Sequence, residues 1–244
     1  MGIFVLIGGG ENGREGTNYE TEKIDQEIVS LLPTKKEKNF LFIAHGNNYE
    51  KEYYEVIKKN FEKIGCKCDI LYKNDLKDIS NSKNKLSWAN IIYIGGGNTL
   101  KMMNAWRRYG FNKVLIDAKN SEKVFCGISA GAIAFCKYGV SDSRKTLKYD
   151  KYIKVRGLDF FNILFCPHFD EKNNYIENID KIMKNSKVSM LALEKGTAVI
   201  IDKNKIRIVK SIENKKVYKI SINGDKKDIV ELTNDNIMGI KFIS

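Results

Sequence analysis

The chain has 244 residues, 43% of them hydrophobic and 30% charged, with a net charge of +12 from 42 Lys and Arg against 30 Asp and Glu. This balance excludes a disordered chain, and the length suits one α/β unit with a substantial core, residues 1–244 forming a single domain. No apolar run nears the roughly 18 residues that span a bilayer, and lysines such as Lys35, Lys36, Lys58 and Lys59 are scattered rather than gathered into a basic stripe, so neither a membrane nor a nucleic-acid partner is expected.

The first element in chain order is a buried strand over Ile3–Ile7 that runs into Gly8, Gly9 and Gly10, a tight strand-to-loop turn. It lacks a basic leader, so no signal peptide is expected, and Leu6 stands where a myristoylation motif needs Ser or Thr. Ile24, Ile28, Leu31 and Leu32 give residues 20–32 a helical stripe, and Tyr53, Ile57, Phe61 and Ile64 do the same for 53–64. Apolar runs over 40–44, 68–72, 91–94 and 124–126 supply further strands, and their alternation with helices predicts a mostly parallel sheet. Beyond residue 197 the runs 199–201, 206–209 and 217–222 alternate partially, with turns at Lys203-Asn204 and Asn223-Gly224. They read as antiparallel strands at the sheet's edge, so residues 1–200 form the core and 201–244 a C-terminal β extension.

Two glycine clusters interrupt this pattern. Gly95-Gly96-Gly97-Asn98-Thr99 follows the run 91–94 and opens a helix over 100–109, and bare glycine backbone can turn N–H groups toward an anion. Neither it nor Gly8-Gly9-Gly10 matches a nucleotide-binding fingerprint, so no cofactor is expected. The second cluster, Cys126-Gly127-Ile128-Ser129-Ala130-Gly131-Ala132, sets one serine between a strand and a helix over 130–136, the form of a nucleophile elbow.

A serine needs a base, and the chain has two histidines, His45 and His168. Each follows an apolar run, and Pro167 fixes the backbone before His168. Candidate acids are Asp142, Asp150, Asp159, Asp170 and Glu194, which spacing does not rank. The five cysteines lack a disulfide framework and fit a reducing, cytoplasmic setting; with two histidines and a Cys66-x-Cys68 pair they make no zinc set, so no metal is expected.

In order, Ile94-Gly95-Gly96-Gly97-Asn98-Thr99, Gly127-Ile128-Ser129-Ala130-Gly131-Ala132, Ser141-Asp142-Ser143, Cys166-Pro167-His168 and Ala192-Leu193-Glu194 resemble the peptidase E (aspartyl dipeptidase) and cyanophycinase family of serine peptidases. The resemblance implies a flavodoxin-like three-layer α/β sandwich akin to class I glutamine amidotransferases. It implies Ser129 as nucleophile, His168 as base, Glu194 ahead of Asp142 as the acid, and an oxyanion hole around Gly96, Gly97 and Ala130, with Asn98 and Thr99 beside the substrate. The expected substrate is a short peptide and the expected state a monomer or homodimer. The stretch Asp170-Glu171-Lys172-Asn173-Asn174 lacks the arginine with which aspartyl dipeptidases hold an acidic side chain; Lys172, Arg144 and Arg156 are the candidate substitutes. A non-catalytic binding relative and an amidase are the competing readings.

Overall fold

A computed structural model describes all residues except 145–150, 172–175, 225, 236–238 and 240–244. The first half alternates as the apolar runs predict: β1 (Ile3–Ile7), α1 (Glu22–Ser30), β2 (Asn39–Ile43), α2 (Glu50–Lys63), β3 (Lys67–Leu71), α3 (Ile79–Trp88), β4 (Ile91–Ile94), α4 (Thr99–Tyr109), α5 (Phe111–Ala118) and β5 (Val124–Ile128). Strands β2, β4 and β5 are buried along their whole length, the mark of strands covered on both faces. Strands β1, β5, β4, β2 and β3 lie in that order and are all parallel.

Helices cover both faces of this sheet. On one side Ile24 and Ile28 of α1 and Ile57 and Phe61 of α2 pack on Val5, Ile7 and Phe42. On the other, Met102 and Trp106 of α4 and Phe111 of α5 pack on Phe4, Leu6 and Ile94. The result is the three-layer sandwich with a mostly parallel central sheet.

The second half departs from a simple edge extension. After α6 (Ala130–Phe135) come β6 (Cys136–Ser141), β7 (Ile153–Arg156), β8 (Phe161–Cys166), α7 (Ile176–Lys184), β9 (Met190–Leu193), β10 (Thr197–Asp202), β11 (Lys205–Lys210), β12 (Val217–Asn223) and β13 (Lys226–Leu232). Strand β10 pairs antiparallel with β1 and carries β11, extending the first sheet. Strands β12 and β13 instead join a six-stranded second sheet in the order β13-β12-β9-β8-β6-β7. Phe161, Ile163, Phe165, Leu191 and Leu193 of that sheet belong to the same apolar cluster as Phe4 and Trp106, so the two sheets share one core.

Helix α6 stops one residue short of the sequence expectation, and the cause is local. The Ala134 and Phe135 carbonyls accept the Leu158 and Phe160 N–H groups at 2.8 and 2.9 Å, satisfying helix-end acceptors from a neighbouring segment. A Cβ on Gly157 would overlap the Cys136 and Ile133 carbonyls, so only glycine lets that segment approach. Cys136 is released into β6. Among the described residues no helix is long and apolar enough to cross a membrane.

Candidate active site

The loops after β1, β2, β4 and β5 converge at the C-terminal end of the parallel sheet, where open α/β folds place ligands. Ser129 stands there between β5 and α6 with φ +53°, a conformation L residues rarely adopt. The strain is held from several sides. Ser129 donates its N–H to the Ile7 carbonyl at 3.0 Å, and its own carbonyl takes the Ile133 N–H at 3.1 Å, opening α6. A Cβ on Gly127 would overlap the Gly131 backbone, and one on Gly131 would overlap the Ile94 carbonyl. Both glycines are therefore required for strand and helix to meet at this angle.

His168 reaches the same point from the second sheet, just past the end of β8. It too has positive φ, +50°, and its N–H is held by the Gly8 carbonyl at 2.9 Å. Its ring lies over Gly9, where a Cβ would come 2.5 Å from Nδ1. The outcome is an Nε2···Oγ contact of 2.9 Å between His168 and Ser129, 39 residues apart in the chain. With Nε2 unprotonated, Ser129 donates this bond and the imidazole is placed to take its proton.

Glu194 directs a carboxylate oxygen to the Lys216 N–H at 3.0 Å, and Asp142 lies exposed at the wall of a cavity that also reaches His168. Glu171 sets a carboxylate oxygen 3.9 Å from His168 Nδ1, close enough to favour an imidazolium by charge and too far for a hydrogen bond. Asp170 is occupied elsewhere. Burial raises its carboxyl, but the Lys215 ammonium at 2.6 Å and the Lys195 N–H at 3.2 Å outweigh that and hold it below its ordinary value. Asp159 sits in an exposed positive-φ turn, and Asp150 and Lys172 lie outside the described residues.

The glycine loop after β4 flanks the serine. A Cβ on Gly96 would lie 3.8 Å from Ser129 Cβ, and Gly97, at φ +134°, rests so closely on Gly46 that a side chain would overlap it. Ala130 opens α6, where the first N–H groups have no intrahelical acceptor. Gly96, Gly97 and Ser129 line one cavity, and Ala130 follows the serine at the start of α6. Asn98 and Thr99 line the second cavity, and their polar atoms hold structure together. Asn98 caps α4 through the Lys101 N–H and donates to the Ser143 carbonyl at 2.8 Å, while Thr99 accepts from Ser141 at 3.2 Å. The Ser141-Asp142-Ser143 motif is therefore the clamp that ties the second sheet to α4.

Two cavities meet at the Ser129 and His168 pair. One, of about 520 Å³, lies between the loop after β1 and α2, with Glu11, Arg14, Glu52 and Tyr53 on its walls. The other, of about 610 Å³, faces Asp142, Tyr152 and Glu171. Neither Arg144 nor Arg156 is on the wall of either cavity; the arginine present is Arg14, already paired with Glu11 at 2.9 Å. Sequence reasoning missed Arg14, Glu171 and Tyr53. Glu171 was findable from its place three residues after His168; Tyr53 was hidden as one position of an apolar stripe.

His45 is a core residue despite following β2. Its Nδ1 accepts from the Trp106 indole N–H and its Nε2 donates to the Leu71 carbonyl, both at 2.8 Å, and burial pushes its pKa down to about 4. None of the five cysteines forms a disulfide; burial raises Cys66 to about 11, Cys68 to about 12, and Cys126 and Cys136 well above the ordinary thiol range, so these four are inert thiols. Among the described residues no three His, Cys, Asp or Glu side chains are grouped to hold a metal.

The family model of peptidase family S51 matches residues 4–209. The chain is similar to the uncharacterized peptidase YgaJ of Bacillus subtilis (strain 168), 28% identical over 229 residues that cover 90% of this chain and 92% of that one. In fold it is similar to the crystal structure of a peptidase from an acI-B1 Actinobacterium, with a TM-score of 0.72 at 15% identity, covering 95% of this chain and 97% of that one. It is also similar to a peptidase E candidate from Listeria monocytogenes EGD-e, with a TM-score of 0.63 at 18% identity over 86% of this chain and 98% of that one.

Proposed function

Because the chain belongs to peptidase family S51, we propose that it is a serine peptidase cleaving short peptides, with Ser129 as nucleophile and His168 as general base. The observation that carries this reading is the 2.9 Å contact between His168 Nε2 and Ser129 Oγ on a strained elbow. Ser129 Oγ adds to the scissile carbonyl as its proton passes to His168 Nε2. The carbonyl oxygen becomes an oxyanion facing the backbone of Gly96, Gly97 and Ala130. The imidazolium returns the proton to the leaving amine, and water, deprotonated by the same ring, then releases the acyl group.

The two cavities support a short substrate, since one lies on each side of the reacting pair and each has room for a residue or two. The arginine on the first cavity's wall, Arg14, pairs with Glu11 at the surface, so a strict requirement for an N-terminal aspartate is not expected. Five cysteines outside any disulfide support the cytoplasmic setting. The test is a dipeptide panel, with acidic and neutral first residues, given to wild type and Ser129→Ala, together with labelling by an aryl fluorophosphonate. Hydrolysis and labelling at Ser129 are expected in wild type, and the variant is expected to lose both, by about 10³-fold or more in rate. Equal turnover by the two proteins would overturn the reading.

A further inference from the structure

The geometry points to the Tyr53 hydroxyl as a side-chain donor of the oxyanion hole, an inference that rests on Ser129 being the nucleophile. Tyr53 comes from the first turn of α2 and lies on the wall of the cavity that holds Ser129 and His168. Its ring packs edge-on against Phe42, with centroids 4.9 Å apart. Gly95 makes room for that ring, since a Cβ there would come 2.9 Å from Tyr53 Cε1. The phenol oxygen accepts the Gly96 N–H at a long 3.4 Å. A Cβ on Gly96 would lie 4.0 Å from that oxygen and 3.8 Å from Ser129 Cβ, so hydroxyl, amide and nucleophile surround one point.

A phenol is both acceptor and donor, and here only the acceptor side is used. Among the described residues nothing accepts the Tyr53 O–H. Burial pushes its pKa up to about 12, so it keeps its proton at any working pH. When Ser129 Oγ adds to the carbonyl carbon, the π pair moves to oxygen and the serine proton to His168. The new oxyanion then accepts from the Gly96 amide and the Tyr53 O–H, with no proton leaving the phenol. The long resting bond between Gly96 and Tyr53 costs little to exchange for two charge-assisted ones.

The test compares wild type, Tyr53→Phe and Ser129→Ala by the second-order rate of labelling with an aryl fluorophosphonate, whose phosphoryl oxygen occupies the oxyanion position. Tyr53→Phe keeps the ring against Phe42, so thermal stability is expected to hold. Labelling is expected to slow by about 10²-fold, within the range for loss of one oxyanion donor. Modification of His168 by diethyl pyrocarbonate is expected to keep its wild-type rate, since that reaction builds no charge beside Gly96. An unchanged labelling rate in Tyr53→Phe would overturn the inference, as would a parallel loss of both reactions. Absence of labelling in wild type would instead overturn the assignment of Ser129, and is distinguishable because no Tyr53 variant is needed to see it.

Discussion

His168 and Ser129 were legible from sequence because the chemistry left few choices: one elbow serine, and two histidines of which the structure turns His45 into the core. The third carboxylate was not legible, because its role depends on distances of a few Å between loops of two sheets. Glu171 lies 3.9 Å from His168 Nδ1 and is more than half exposed, so it acts through charge in a partly screened setting. Glu171→Gln removes that charge and is expected to lower kcat/KM about fivefold. Glu194→Gln retains an oxygen for the Lys216 N–H and is expected to keep kcat/KM near wild type. Measuring kcat/KM for both variants separates them; a loss in Glu194→Gln alone would give the role to Glu194.

At the scale of elements, the parallel half was readable because each buried strand is a continuous apolar run. The second sheet was not, because β6 begins directly at the end of α6 with no turn residue between them, and its partners include strands of only four residues. The elbow offers a clean contrast between two glycines. Gly131→Ala sets a methyl into the Ile94 carbonyl of a central strand, where backbone cannot yield, so it is expected to destabilise by about 2–3 kcal/mol and lower Tm by roughly 5–10 °C. Gly96→Ala meets nothing closer than 3.8 Å and is expected to keep the wild-type Tm while narrowing the space over Ser129, slowing its labelling. Calorimetry and labelling on the pair would show stability and site function parting at neighbouring loops; an unchanged Tm in Gly131→Ala would refute the packing argument.

For the whole molecule, two buried ionisable groups on opposite faces of the first sheet oppose each other in pH. Asp25 lies in α1 beneath the loop that walls the first cavity, accepting from Tyr19 at 2.8 Å and Thr21 at 3.0 Å, with Oδ1 unpartnered among the described residues. Burial pushes its carboxyl up to about 7, Tyr19 and Thr21 pulling it back and Glu22 adding to the rise. From its unfolded value of 3.8 up to about 7 the folded state holds a proton that the unfolded chain has lost, so this group costs stability as pH rises. His45, on the α4 side, runs the other way: between about 4 and 6.5 the unfolded chain holds the extra proton, so stability is gained as pH rises. Over their shared window the two slopes, each about 1.4 kcal/mol per pH unit, cancel. Urea unfolding at pH 4.5, 5.5 and 6.5 is therefore expected to show a nearly flat contribution from this pair in wild type. Asp25→Asn is expected to turn it upward with pH, as His45 acts alone, and His45→Gln to turn it downward, as Asp25 acts alone. Opposite changes of slope in the two variants would identify them as the source of the balance, whereas parallel changes would refute it.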